Sequence, residues 1–229
     1  MENWRCDRIS KPSPSLLLGL KLLGLSLLVF PTFASVVPTA AAQAELLAQN
    51  SSQAPETVAP NAALPATRTI TISVEGEPTE ITLKRFAVPG FPLATYYPEQ
   101  MTVQQDCLEE GCAVEFVGSI EGTGVLFFFP EEGTNLDDLE ARLVEPEGFL
   151  VRSGLSVTGE YTQPAILRYP WAKKVLRVQE ANVSCLGNVY LGEANGRVFW
   201  VLALFPPETG DGFIPRADAI LTNLEVRPR

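Results

Sequence analysis

The chain contains no histidine, and this absence removes more functions than any motif present adds. It rules out Ser-His-Asp and Cys-His catalysis, and it leaves no imidazole to ligate zinc, iron or copper. Positive charge is scarce as well: 17 lysines and arginines stand against 27 aspartates and glutamates. The first 44 residues take four of these bases (Arg5, Arg8, Lys11, Lys21) and two of the acids (Glu2, Asp7). The remainder therefore holds 13 bases against 25 acids, a formal charge of −12. Nucleic acids and anionic lipid surfaces both need a cationic face, so this composition argues against both as partners. It favours solubility, attraction of cations or a basic protein partner. Long apolar runs are also missing after the N-terminal region, where the most apolar stretch, Val198 to Phe205, has only the length of a strand.

The N-terminal region itself reads as an export signal. Arg5, Arg8 and Lys11 form a positive start, and Leu16 to Phe30 is an apolar run broken only by Lys21, Ser26 and glycines. Ala42-Gln43-Ala44 then gives the small-x-small pattern of a signal-peptidase site, with Glu45 as the first mature residue. No cysteine stands at the end of the apolar run to accept a lipid. Residues 16–37 retained as a membrane anchor are the alternative. Export places the chain in a periplasm or a thylakoid lumen, and membrane contact is expected only through this segment if it is uncleaved. Residues 45–67 follow, rich in Ala, Pro, Gln, Ser and Asn and without a period of 2 or 3.6, which predicts a flexible, disordered linker. The folded domain is expected to be 68–229.

Within it, Thr69 to Val74 and Glu80 to Leu83 alternate around a turn at Gly76-Glu77-Pro78, predicting an opening hairpin. Strands are expected at Met101–Val103, Ala113–Val117 and Gly124–Phe129, the last too uniformly apolar for anything but a central place in a sheet. A helix follows, capped by Thr134 or Asn135, with Asp137 and Asp138 at its positive end and Pro146 and Gly148 closing it. Weaker strands are read at 155–157, 165–169 and 173–178, with a short helix after Pro170 as the alternative for the last. A hairpin spans Asn188 to Phe205 around Asn195-Gly196, both residues tolerating positive φ. A second helix is expected from about Pro215 to Leu224, then a short strand at Glu225 to Arg227. Short connections imply antiparallel pairing. The fold class is α+β, a mostly antiparallel twisted sheet with two packing helices.

Cysteine adds one constraint. With Cys6 in the export signal, Cys107, Cys112 and Cys185 remain, an odd number. Cys107 and Cys112 flank a four-residue hairpin loop, Leu108-Glu109-Glu110-Gly111. Opposed residues at such a mouth stand at disulfide separation, about 5.5 Å between Cα atoms. A staple is therefore expected there, with Cys185 left as a buried thiol or taking the place of one partner. A thioredoxin-type site needs C-x-x-C at a helix start, which this spacing does not provide.

Three charged constellations stand out. Between Glu99 and Glu147 there are 13 acids and one base, Arg142. Glu131, Glu132, Asp137, Asp138 and Glu140 offer oxygen ligands for calcium, though in no recognisable loop frame and not as an EF-hand. Opposite in sign, Arg168, Lys173, Lys174 and Arg177 interleave with Tyr169 and Trp171. That stretch reads either as a partner patch anchored by Trp171 and Arg177 or as the intramolecular counterweight to the acidic half. Asp211, between Gly210 and Gly212, forms a candidate functional loop with Arg216, bonding helix-start amides or pairing with that arginine. No pair of carboxylates sits in a recognisable frame for hydrolysis. Asn50-Ser51-Ser52 and Asn182-Val183-Ser184 match glycosylation sequons, of consequence only in a eukaryotic secretory route.

Tyr169-Pro170-Trp171, Val189-Tyr190-Leu191-Gly192, Asn195-Gly196-Arg197 and Gly210-Asp211-Gly212-Phe213-x-Pro215-Arg216-Ala217 before Ile220-Leu221 carry a resemblance. On these, residues 169–226 resemble a group of uncharacterised exported proteins of oxygenic photosynthetic bacteria. The element order over 91–227 is similar to the PsbP-like fold of extrinsic photosystem proteins. That resemblance implies an antiparallel sheet sandwiched by helices, an α/β/α arrangement, and a protein that acts by docking without catalysis. A histidine that some of those proteins use at metal sites has no counterpart here, and the resemblance transfers no binding residues or cofactor.

Three readings follow. A non-catalytic docking or assembly protein on a membrane or photosynthetic complex predicts that the patch at Trp171, Lys173, Lys174 and Arg177 stays exposed. A small-ligand or calcium-binding periplasmic module predicts a concave site lined by acids from 131–140. A carboxylate hydrolase predicts two acids converging in one cleft.

Overall fold

The computed structural model describes residues 64–181 and 184–228. The export signal, nearly all of the linker and both sequons lie outside the described residues, Ser184 excepted. Among the described residues, no helix is long and apolar enough to cross a membrane.

The fold is α+β with two antiparallel sheets. A four-stranded sheet has the order β1-β2-β3-β11, built from Thr67–Val74, Glu77–Phe86, Leu93–Pro98 and Glu225–Val226. A seven-stranded sheet has the order β4-β5-β6-β10-β9-β8-β7. Its strands are β4 (Thr102–Leu108), β5 (Gly111–Val117), β6 (Gly124–Pro130), β7 (Leu155–Tyr161), β8 (Ala172–Glu180), β9 (Leu186–Ala194) and β10 (Arg197–Phe205). The helices are α1 (Leu136–Val144), α2 (Phe149–Arg152), α3 (Pro164–Leu167) and α4 (Gly210–Thr222).

The strand faces follow from alternation. On one face of the large sheet Leu126, Trp200, Leu202, Val189, Leu191, Leu176 and Val178 meet Leu139 and Leu143 of α1 and Leu150 of α2. On the other, Phe116, Phe127, Phe129, Phe199, Val201 and Tyr190 meet Phe213, Ala217, Ile220 and Leu221 of α4. The small sheet shares that side, where Ile81, Leu83 and Tyr96 pack on Ala219 of α4. The large sheet is thus sandwiched between α1 and α2 on one face and α4 with the small sheet on the other.

Local chemistry places the turns. Asn195 (φ 50°) and Gly196 (φ 74°) make the tight β9–β10 turn expected of an Asn-Gly pair. The first hairpin turns one residue earlier than expected, at Glu75 (φ 54°) and Gly76 (φ 84°), because Glu77 and Pro78 pair with Val74 and Ser73. The Asn135 side chain caps α1 by accepting from the Asp138 amide at 2.9 Å.

Two expectations need correction. Residues 165–169 are not a strand: Pro164 opens the short helix α3, since a proline with preset φ favours the first helical position. Residues 173–178 do lie in a strand, β8, which rules out their helical alternative. The last long helix begins at Gly210 rather than near Pro215, and Pro215 lies inside it. Proline lacks the amide that would bond the Asp211 carbonyl, so that one bond of the helix is missing.

Candidate functional site

The basic stretch is divided among three environments. Trp171, expected as a surface anchor, is buried: its indole stacks on Tyr169 (5.2 Å, 4° between planes), lies 5.2 Å from Phe199 and donates to the Leu221 carbonyl at 3.3 Å. Gly192 is required beneath it, because a Cβ there would stand 2.7 Å from the indole. Lys174 faces the α1 side and reaches Glu140 at 2.7 Å and Glu160 at 2.9 Å. The hydrogen bonds it donates to both carboxylates raise its pKa. Arg168, exposed and at φ 60°, bonds Asp218 at 2.6 Å, and the Tyr169 hydroxyl donates to the other oxygen of Asp218 at 2.5 Å. Burial pushes the phenols of Tyr169 and Tyr190 up. Lys173 and Arg177 stay exposed, Arg177 over the Tyr161 ring. The expectation of one exposed patch is therefore corrected. A β-bulge between Ala172 and Lys174 and strand alternation send these side chains to opposite faces of the sheet.

The calcium candidates are likewise dispersed. Glu140 bonds Lys174, Glu131 lies 3.5 Å from Arg142, and Asp138 bonds Asn135. Among the described residues, no three His, Cys, Asp or Glu side chains are grouped to hold a metal. In the 210–216 segment, the Arg216 guanidinium donates to the Gly212 carbonyl within its own helix, rather than pairing with Asp211. Asp211 instead lines an open depression of about 630 Å3 with Ser73, Glu75, Gly76, Gly210, Ile214 and Pro215.

The most distinctive exposed feature is an arm that sequence reading found only in part. β4 and β5 pair in unbroken register from Thr102↔Val117 to Leu108↔Gly111. A Cys107–Cys112 disulfide closes its end, with Cα atoms 4.0 Å apart, as the loop spacing predicted. Cys185, by contrast, is not a free thiol. Along β4 only Val103 is half-buried; the other six residues are exposed. Leu108 at the tip is 58% exposed, more than any other large apolar side chain among the described residues. The Glu131 amide donates to the Glu110 carbonyl at 3.1 Å, which brings Glu131 and Glu132 beside Glu109 and Glu110. All four are exposed, as are Asp137 and Asp138 at the start of α1. Gly111 is needed at the turn end of β5, where it sits against β6: its φ is 146°, and a Cβ would lie 2.2 Å from the Phe129 carbonyl oxygen. The sequence signal for the arm was Thr102-x-Gln104-Gln105-Asp106, a strand with no apolar side. A closed disulfide agrees with an oxidising compartment.

No family model matches the chain, and no curated protein matches it. Among solved structures, the chain is similar to the solution structure of cyanobacterial PsbP (CyanoP) from Synechocystis sp. PCC 6803. The two are 10% identical over 63% of this chain and 92% of that one, with a TM-score of 0.45. That likeness is a weak one of overall fold.

Proposed function

We propose that this is an exported, non-catalytic docking protein of a periplasm or thylakoid lumen that engages a basic surface on a membrane or photosynthetic complex. The observation that carries the reading is the stapled β4–β5 arm. It presents the exposed apolar side chain of Leu108 next to the exposed turn residues Glu109 and Glu110, and a backbone bond brings exposed Glu131 beside Glu110. An exposed apolar side chain beside charge of one sign supplies both elements of docking: the apolar group adds buried area on contact and the charges add steering and selectivity. The disulfide fixes the arm before contact, so less ordering entropy is lost on binding. A basic partner follows from the 13 acids against one base between Glu99 and Glu147.

The test is crosslinking with affinity capture in the native host, comparing wild type with a Leu108→Ser/Glu109→Lys/Glu110→Lys variant. A membrane complex captured by wild type and lost by the variant supports the reading. Equal capture by both contradicts it. Trp171→Ala and Lys174→Glu are unsuited to this comparison, because one opens the core and the other breaks an ion-pair network.

A further inference from the structure

We infer that the open edge of β4 receives an extended, lysine- or arginine-rich segment of a partner protein as an additional strand of the seven-stranded sheet. The inference rests on the docking reading and specifies how the partner binds.

Among the described residues, β4 is an outer strand of that sheet and pairs with β5 alone. The Cα separation of 4.0 Å at Cys107↔Cys112 marks a narrow pair, one whose members do not hydrogen-bond to each other. Because the register is unbroken, Gln105↔Val114 and Val103↔Phe116 belong to the same class. The backbone N–H and C=O groups of Val103, Gln105 and Cys107 therefore point away from β5 toward the open edge. Three residues with this spacing form a ready ladder for an incoming strand.

Natural edge strands are usually blunted by charged side chains, above all lysine, or by proline, a bulge or brevity. β4 has no lysine, proline or bulge and runs for seven residues, and its one charge is the acidic Asp106. The other edges differ. β7 is broken by a bulge between Val157 and Gly159, β11 has two residues, and β1 carries Arg68 in its own run.

Charge selects the occupant. Asp106 lies in β4, Glu99 precedes it and Glu109 and Glu110 follow it, with no base from Glu99 to Glu110. A basic extended segment places its cations against these carboxylates. A second copy of this chain would instead oppose one strongly acidic surface to another.

The experiment uses the full chain and a ten-residue peptide alternating lysine and valine, with a glutamate-valine peptide as control. Hydrogen exchange is followed residue by residue. Strand addition predicts that the lysine peptide slows exchange at the amides of Val103, Gln105 and Cys107 by about tenfold or more at saturation. The glutamate peptide leaves them unchanged. Gln105→Pro, which removes an amide that makes no bond to β5, weakens peptide binding by about tenfold with the melting temperature kept. Asp106→Lys, which leaves the backbone intact, weakens it as well. Binding of the lysine peptide without protection of those three amides overturns strand addition and leaves side-chain docking by the arm standing. No binding of the lysine peptide overturns the inference, and the capture comparison then decides the docking reading separately. A concentration-dependent dimer that protects the same amides overturns the choice of occupant.

Discussion

Breaking the Cys107–Cys112 bond is expected to loosen the end of the arm before the rest of the domain. The bond joins residues five apart, so it closes a loop of about six residues. The chain-entropy relation gives a stabilisation of about 2 kcal/mol for a loop that short. Little else holds the end of β4, because that strand has one half-buried residue, Val103, near its base and six exposed ones, whereas β5 is paired with β6 along its whole length. The loss should therefore appear locally, as opening of the hydrogen bonds at Asp106↔Ala113 and Leu108↔Gly111, the pairs that alternate with the narrow disulfide pair. About 2 kcal/mol corresponds to roughly 30-fold faster exchange at the amides of Asp106, Leu108 and Ala113. Amides in β10, at the centre of the sheet, should change far less. The assay is residue-resolved hydrogen exchange on oxidised protein, reduced protein and a Cys107→Ser/Cys112→Ser variant. Unchanged exchange at the arm after reduction would refute the reasoning. So would an equal acceleration at the arm and in β10, which would show that the arm is not a separate unit of stability.

Four further substitutions test the core and its polar edges. Trp171→Ala should cost about 3–5 kcal/mol in denaturant unfolding, and Gly192→Ala about 1–3 kcal/mol, because its methyl would press on Trp171 and Phe199; wild-type stability in either would refute the packing described. Lys174→Met should cost about 1 kcal/mol at neutral pH, since Lys174 is only 22% exposed and has two carboxylate partners. Its folded pKa is raised, so that contribution is fully present below the unfolded value near 10.5 and is lost as pH climbs past it through the folded value; a difference unchanged through pH 11 would contradict the assignment. Tyr169→Phe should cost about 2 kcal/mol by removing the bond to the Asp218 carboxylate. Because burial raises the Tyr169 pKa, wild type should also lose stability as pH rises above 10, where the unfolded chain ionises and the folded phenol does not; equal alkaline slopes in wild type and variant would exclude that role.

The parts of this fold legible in sequence were those governed by local rules. Asn195-Gly196 could hardly make anything but a tight turn, Asp137 and Asp138 marked a helix start, and the Cys107–Cys112 spacing placed the staple. The less legible parts depended on tertiary partners. Arg168 to Arg177 reads as one basic cluster in the chain, yet a bulge and strand alternation distribute it to a core, an ion-pair network and an open surface. Trp171 is buried because Gly192 on the neighbouring strand leaves room for its ring, a relation that spans 21 positions of sequence. The arm was half-legible: its loop chemistry was visible, but the length of β4 was not, because a strand exposed on both faces carries no alternation to read. The convergence of Glu109 and Glu110 with Glu131 and Glu132 comes from the β5–β6 pairing, which no single segment encodes.

The most direct test of the docking account is site-specific photocrosslinking in the native host. A photoreactive residue would replace Leu108 at the tip of the arm in one strain and Ile166 on α3 in another. Leu108 and Ile166 are both exposed apolar side chains on different elements. The account predicts a discrete adduct with one basic partner protein from position 108, weakened by added salt, and none from position 166. No adduct at position 108, or the same adducts from both positions, would contradict it.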